Sequence, residues 1–241
     1  MIFLKTKITF ILLLLVIFIG SYGQNKLSTE DLFKKYLISQ NVSIAKEIIT
    51  SNDNLYSIFC KADLSQSSDK RIAGFSKFIA LSPKYGLAMA YNMRGAAYTS
   101  IEKTTDAFAD FDHSLLLDPM NAYTYYYEAA DYMDLKKFDS AIENLSHSIR
   151  LDEGFELAYH LRGIAYDDQK KYENALADFT EEIKLDKKND IAYKVRGFVY
   201  NEMGNYTKAI KDWKKAEKLN PDNDKLLDGF IYKTVMKLRN E

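Results

Sequence analysis

Few side chains in this sequence of 241 residues are able to bind a metal or act as a nucleophile: it has three His and one Cys. His113 and His147 stand 34 residues apart, His160 follows them, and Cys60 lies far upstream. Zinc sites use three or four protein ligands, so two matching His without a third ligand make a poor metal site. We interpret the two His as a surface residue inherited by duplication. A single Cys excludes a disulfide framework, and we expect Cys60 to be a buried packing residue.

The sequence gives equally little support to catalysis or nucleic-acid binding. It contains no GxSxG, GxxxxGK[ST] or HExxH motif and no calcium-binding loop. Asp167 and Asp168 are adjacent on a predicted helix and therefore point in different directions, unlike a catalytic pair. The net charge of -1 provides no basic footprint for nucleic acid. We therefore expect a protein that is not an enzyme, with no cofactor and no resident metal.

The spacing of 34 between the two His belongs to a repeat that organises most of the chain. Four consecutive blocks align without a gap, at residues 88–121, 122–155, 156–189 and 190–223. Every block has Tyr at positions 4 and 11, Ala at position 20 and Leu at position 30. Position 8 is Gly or Ala, and position 24 is Phe, Leu or Trp. Ten of the 18 Tyr are explained by the repeat, counting Tyr172 and Tyr206 after the turns.

This pattern predicts two helices in each block. Positions 4, 8 and 11 share one helical face, and positions 20, 21, 24 and 30 form the apolar face of a second helix. The second helix should end near Asp118-Pro119 and Asn220-Pro221, because Pro cannot continue a helix. A Gly inside a helix costs about 1 kcal/mol relative to Ala, so its recurrence at position 8 needs a packing reason. We expect close approach between positions 8 and 20, pairing Gly95 with Ala107, Gly163 with Ala175, and Gly197 with Ala209.

The last block carries the pattern most completely, with Tyr193, Gly197, Tyr200, Ala209, Trp213, Ala216 and Pro221. In these residues the chain resembles the tetratricopeptide repeat family. The resemblance covers the four blocks and implies an all-α, right-handed superhelical solenoid of antiparallel helix pairs. It also implies that the first helix of each pair lines the concave side, where partners bind. The other blocks depart at a few positions, among them Ala129 and Glu182.

Two positions change together between blocks. Position 7 is Arg94, Arg162 and Arg196 in three blocks, and position 23 is Asp110, Asp178 and Asp212 in the same three. The block at 122–155 has Glu128 and Asn144 instead. This pattern predicts an Arg–Asp pair that links helices, with bidentate geometry. The alternative is a row of Arg that binds anions.

The flanking regions complete the predicted organisation. Residues 1–23 have Lys5 and Lys7, a twelve-residue apolar run and the small-residue pattern Ser21-Tyr22-Gly23, which predicts a cleaved secretory signal peptide. The alternative is an uncleaved anchor, but a spanning helix needs about 20 apolar residues. Residues 24–87 form an N-terminal helical region that includes a degenerate repeat ending at Pro83. Residues 224–241 are predicted to be a C-terminal capping helix.

Candidate partner-binding residues lie on the first helices. Position 5 shows no evident packing constraint, and an acidic row at position 13 would suit a partner that bears Lys or Arg, although solvated turn residues explain that row as well. Tyr123, Tyr126 and Tyr127 are not required by the repeat and could form a binding hot spot or an inter-repeat contact. The predicted groove residues are Asn92, Tyr123, Tyr126, Asp134, His160, Asp168, Lys194 and Glu202.

The sequence therefore predicts an exported scaffold that binds a protein or peptide in a concave groove. Export places it in the periplasm or cell envelope of a bacterium, or outside the cell. The alternative function is a structural subunit of an envelope or secretion assembly that uses its convex face or its N-terminal helices.

Overall fold

The computed structural model describes residues 28–51, 54–221 and 224–239. These ranges contain thirteen α-helices and no β-strand, which confirms the predicted all-helical fold class. The helices are α1 Thr29–Ser39, α2 Val42–Thr50, α3 Asn54–Asp63, α4 Ser68–Ala80, α5 Leu87–Thr99, α6 Thr104–Leu117, α7 Ala122–Asp134, α8 Phe138–Leu151, α9 Glu156–Asp168, α10 Tyr172–Leu185, α11 Asp190–Glu202, α12 Tyr206–Leu219 and α13 Asp224–Arg239. The predicted signal peptide lies outside the described residues. Among the helices described, none has the length and apolar character needed to cross a membrane.

The helices form a solenoid of consecutive pairs. The most extensive contacts join α5 to α6, α7 to α8, α9 to α10 and α11 to α12, which are the two helices of each block. Each second helix also contacts the first helix of the next block, and α6 with α7 is the least extensive of these junctions. The first helices are neighbours too, since α5 contacts α7 and α7 contacts α9. We call the surface formed by α5, α7, α9 and α11 the inner face.

The turn inside each pair has a fixed backbone geometry. Position 15 of every block adopts the left-handed conformation, with φ values of 60°, 57°, 58° and 74° at Glu102, Lys136, Lys170 and Gly204. Of these four residues only Gly204 is a glycine, the residue type that adopts this conformation without steric cost. Several helices begin at a side-chain cap, as where Asn121 Oδ1 accepts from the backbone N–H groups of Tyr123 and Thr124.

The closest contact of the glycines at position 8 is with the ring at position 24, whereas the sequence pointed to the Ala of position 20. A Cβ added at Gly95 would lie 2.5 Å from Phe111 Cε1, and one at Gly163 would lie 2.7 Å from Phe179 Cε1. At Gly197 it would lie 2.6 Å from Trp213 Cδ1. The block at 122–155 has Ala129 at position 8 and Leu145 at position 24, and both are fully buried in one hydrophobic cluster. The one block with a Cβ at position 8 therefore has Leu, which is smaller than Phe or Trp, at position 24.

We expect Gly163→Ala to destabilise the chain by about 1 kcal/mol, because overpacking a core costs about 1–3 kcal/mol and the gain in helix propensity recovers about 1 kcal/mol. Combining it with Phe179→Leu should give a favourable coupling of about 1 kcal/mol in a double-mutant cycle measured by urea unfolding. Gly229→Ala is the matched control, since Gly229 is helical and has open space at its Cβ. Additive effects of the two core substitutions would contradict the proposed packing.

Three Arg–Asp clamps join consecutive repeats, which confirms the predicted pairing. Arg94 Nε and Nη2 donate to Asp110 at 2.7 Å each, and the same geometry recurs in Arg162–Asp178 and Arg196–Asp212. Nη1 of each Arg donates to a hydroxyl on the preceding repeat, namely Ser76, Ser146 and Thr180. Each clamp therefore connects three helices through one guanidinium group. The anion-binding interpretation does not apply, because these Arg are committed to carboxylates.

The block without Arg has a different junction. Glu128 takes the place of the Arg, Asn144 that of the Asp, and Asp112 that of the hydroxyl on the preceding repeat. Burial raises the pKa of Glu128, and the carboxylate of Asp112 raises it further. This acidic substitution falls at the junction of α6 with α7, the least extensive between repeats.

The N-terminal helices are held together by aromatic rings. Phe33, Tyr36, Phe59, Phe75 and Phe78 are all buried, and they belong to one hydrophobic cluster. Cys60 is buried in the same cluster, and burial raises the pKa of its thiol to about 12, as expected of a packing residue. At the other end, α13 covers the last repeat through Leu227, which is fully buried against Trp213 and Ala216.

Candidate partner-binding surfaces

An acidic strip runs along the inner face at the carboxyl ends of the first helices. Asp134, Asp168 and Glu202 occupy position 13 in three consecutive blocks, and all three are exposed. Burial raises the pKa of the neighbouring Asp167, and the carboxylates of Asp168 and Glu202 raise it further. Because Glu202 belongs to the next repeat, carboxylates of these two blocks lie close enough to interact. We call these four residues, together with Asp131, the acidic strip.

Asp131 is the most deeply placed member of the strip. It is 2% exposed, and its Oδ2 has no hydrogen-bond partner among the described residues. Burial raises its pKa to about 6, and the carboxylate of Asp134 adds to the rise. A buried carboxylate without full hydrogen bonding destabilises the fold when it is ionised. A positive group placed on the strip would offset this cost.

The raised pKa predicts a pH-dependent effect of Asp131→Asn. Asp131 binds its proton more tightly in the folded chain than in the unfolded one, so its contribution favours folding at low pH and declines as the pH rises from about 4 to about 6. The variant should therefore match the wild type near pH 4 and be more stable at pH 7.5 by at most about 3 kcal/mol, measured by urea unfolding. Asp134→Asn removes the same charge from an exposed site and should show a smaller change. An equal change in both would contradict the role of burial.

Position 5 is more constrained by packing than the sequence indicates. Asn92 is fully buried, so it lines no open groove, and its side-chain N and O atoms have no partner among the described residues. His160 Nδ1 lies 2.9 Å from both carboxylate oxygens of the buried Glu182, whose Oε1 also accepts from Asn189. Lys194 is partly buried, and its carbonyl accepts from the indole N–H of Trp213. Position 5 therefore contributes mainly to the contacts between helices.

The tyrosine cluster packs against the end of its own block and against the preceding repeat. The rings of Tyr123 and Tyr126 lie 4.7 Å and 5.1 Å from that of the buried Phe155, which precedes α9. Tyr127 stacks on Phe111 with 6.4 Å between centroids. Tyr123 is nevertheless 50% exposed, so half of its surface is available to a partner.

An apolar row at position 2 was not predicted from the sequence. Tyr123, Leu157 and Ile191 occupy this position in three consecutive blocks and are 48–50% exposed. Position 2 lies near the amino end of each first helix, whereas position 13 lies at the carboxyl end. The inner face therefore runs from an apolar edge to an acidic edge. The row could have been found in the sequence, because position 2 is apolar in all four blocks, including Met89 in the first. It was missed because a single exposed apolar residue at the start of a helix is common.

The histidines at position 26 contact tyrosines of their own repeats. His113 stacks on Tyr91 with 5.0 Å between centroids, and His147 stacks on Tyr125 with 5.3 Å. Within residues 28–51, 54–221 and 224–239, no group of three or more His, Cys, Asp or Glu is arranged to hold a metal ion. The recurrence of His at position 26 therefore accompanies a recurring contact with the Tyr of position 4.

Comparison with known proteins agrees with this architecture. Residues 157–189 and 191–223 each match a family model described as tetratricopeptide repeat. These matches cover two of the four blocks. A search of curated proteins gives no significant match.

Solved structures with a similar fold include several MamA proteins. One crystal structure of MamA is 22% identical, covers 76% of this chain and 96% of its own, and superposes with a TM-score of 0.59. Another is 23% identical, covers 66% of this chain and 91% of its own, and has a TM-score of 0.58. A third, MamA residues 41 to the end from Desulfovibrio magneticus RS-1, is 17% identical, covers 76% and 97%, and has a TM-score of 0.60. At these identities the similarity shows a shared fold.

Proposed function

We propose that this protein is a non-catalytic scaffold whose inner face binds a protein or peptide bearing basic side chains. The observation that carries the proposal is the acidic strip, where exposed carboxylates of successive repeats lie close enough to raise the pKa of Asp167. Carboxylates held together in this way attract a cationic partner and give it register. The exposed apolar row at position 2 supplies the area that a stable complex also needs. Similarity to tetratricopeptide repeats supports this use of the first helices.

The groove residues divide into two groups under this proposal. Tyr123, Asp134, Asp168 and Glu202 are exposed and would contact the partner directly. Tyr126, His160 and Lys194 are partly buried and would contribute edges of side chains already packed inside the array. Asn92 is left out of the contact surface because it is fully buried.

In-cell photocrosslinking tests the proposal. A crosslinking amino acid placed at positions 134, 168 and 202 should capture a specific protein, and the same amino acid on exposed sites of second helices should not. The control sites are Asp106, Glu143 and Glu173. The captured partner should bind the purified chain with an affinity that falls as salt rises. Equal capture from both sets of sites would exclude the inner face.

The second candidate is a subunit of an envelope or secretion assembly that uses the N-terminal helices or the convex face. It is favoured by Ile38 in α1, which is 88% exposed. Alanine at Tyr126, His160 and Lys194 would leave such binding intact and would weaken binding in the groove. Ile38→Ser should weaken binding through the N-terminal helices and leave binding in the groove intact.

We also propose that the chain is exported, on the strength of the pattern in residues 1–23. The mature protein would then begin at Gln24 and act in the periplasm or cell envelope, or outside the cell. Amino-terminal sequencing of protein recovered from cell fractions tests this. An intact Met1 on membrane-bound protein would instead show a retained anchor.

A further inference from the structure

A basic groove lies between α11 and α12 on the side of the last repeat where its Arg–Asp clamp is placed. Its volume is about 490 Å³, and its lining consists of Tyr193, Arg196, Tyr200, Lys208, Lys211, Asp212 and Lys215. The three lysines stand at i, i+3 and i+7 of α12, so they share one helical face. We call this feature the lysine groove.

The repeat does not require these lysines. The three positions they occupy are filled in the earlier blocks by Asp106, Ala109 and His113, by Ser140, Glu143 and His147, and by Asn174, Ala177 and Glu181. Tyr193, Tyr200 and the Arg196–Asp212 clamp form the floor of the groove. The same residue types recur at these positions in the other clamped blocks, so packing of the repeat explains their presence. The three lysines form the wall of the groove, and among the four blocks only the last has lysines at these positions.

The lysine charges are not neutralised within the part of the chain that the structure describes. Arg196 donates two hydrogen bonds to Asp212, so these two charges balance. No described carboxylate lies within salt-bridge distance of Lys208, Lys211 or Lys215. Lys208 Nζ lies 5.1 Å from the ring centroid of Tyr200, and Lys215 Nζ lies 5.8 Å from that of Tyr193. Three positive charges therefore face a groove with aromatic rings in its floor, and an anionic occupant would relieve their repulsion.

We propose that the lysine groove binds an acidic peptide segment of a second partner protein. The first and last lysines are seven residues apart, which is about 10 Å along an α-helix. An extended chain places alternate side chains about 7 Å apart on one side, so a short segment with two or three carboxylates spans the wall. An aromatic floor between two helices suits a narrow chain rather than a flat bilayer. This surface is distinct from the acidic strip, so the scaffold would hold partners of opposite charge.

Fluorescence anisotropy of a labelled peptide with alternating Glu and Gly tests this inference on the purified full chain. We expect Lys208→Gln/Lys211→Gln/Lys215→Gln to weaken binding about tenfold and to reduce its salt dependence. The matched control removes three exposed lysines far from α12, namely Lys35, Lys46 and Lys70, and should change affinity less than about twofold. Circular dichroism would verify that both triple variants are folded.

Four outcomes would overturn the proposal. The first is equal binding of a peptide with Gln in place of Glu, and the second is an equal loss in the control variant. The third is binding to vesicles of anionic phospholipid, or to inorganic phosphate, without binding to the acidic peptide. The fourth is self-association that the groove variant abolishes while the peptide does not bind, which would identify a second copy as the occupant.

Discussion

Asp178→Ala should destabilise the chain by about 3 kcal/mol, because it leaves a largely buried guanidinium group without its carboxylate. Asp178 is 4% exposed and accepts from Nε and Nη2 of Arg162 at 2.8 Å each. The same Arg donates through Nη1 to Ser146 on the preceding repeat. Loss of the carboxylate therefore weakens the contact within a repeat and the contact between repeats together. Urea unfolding followed by circular dichroism measures the change.

Two comparisons separate the clamp from a general effect of charge. Lys184→Ala breaks an exposed pair with Glu181 and should cost less than about 1 kcal/mol. Arg162→Leu/Asp178→Leu removes both charges and should recover part of the loss, because no ion is then left buried without a partner. A cost for Asp178→Ala no larger than that for Lys184→Ala would show that the clamp does not stabilise the array.

The clamp was accessible from the sequence because two positions changed together between blocks. Its third member was not, since the hydroxyl residue lies in the preceding block and changes between Ser and Thr. At the junction between the block at 122–155 and the preceding block all three places differ, and the carboxylates of Glu128 and Asp112 interact where the other junctions have an Arg and a hydroxyl. The junction there is the least extensive between repeats, as expected where no Arg joins them.

Helix positions also followed from the sequence, whereas the identity of packing partners did not. Period and spacing determine which residues share a helical face, so the helix pairs and the covering role of α13 were predictable. The partner of Gly163 was not, because both Ala175 and Phe179 lie on the facing side of the second helix. Only the crossing of the two helices places the Phe179 ring over the glycine. Where Ala129 replaces the glycine, the smaller Leu145 replaces the ring at position 24, as expected if size is matched across this contact.

The candidate site was predicted less well than the fold. Because the residue at position 5 varies between blocks, the sequence predicted side chains free of packing contacts there. In the structure Asn92 is buried and His160 bonds to Glu182. Residues at an interface between helices also vary when their partners vary, so dissimilarity alone does not indicate an open surface. Position 13 lies at helix ends, where exposure follows from the turn, and its acidic residues are exposed as expected.

Phe59→Ala should destabilise the N-terminal helices by about 4 kcal/mol, since truncating a buried Phe costs about 3–5 kcal/mol. Phe59 is fully buried, and its ring lies 5.2 Å from those of Phe33 and Phe75 and 5.1 Å from that of Phe78. Among the glycines of the described ranges, none has an atom of this ring as one of its nearest neighbours. The close contact in this unit is made instead by Gly74, where an added Cβ would lie 2.6 Å from that of Ala62. The two helices of the degenerate repeat are thus held together by several packed rings. In the regular repeats with Gly at position 8, the corresponding contact is made by that Gly and one ring.

The effect of Phe59→Ala should also be confined to one end of the molecule, because each repeat contacts mainly its neighbours. The chain has one Trp, Trp213, which is fully buried near the opposite end. Its fluorescence therefore reports on the last repeat and the cap. In the variant, part of the far-ultraviolet circular dichroism should be lost at lower urea concentration, while the Trp213 transition stays close to that of the wild type. Phe59→Leu keeps most of the apolar volume and should shift the first transition less. If the dichroism and Trp213 transitions move together by the same amount, the array unfolds as one cooperative unit and the local account of its stability is wrong.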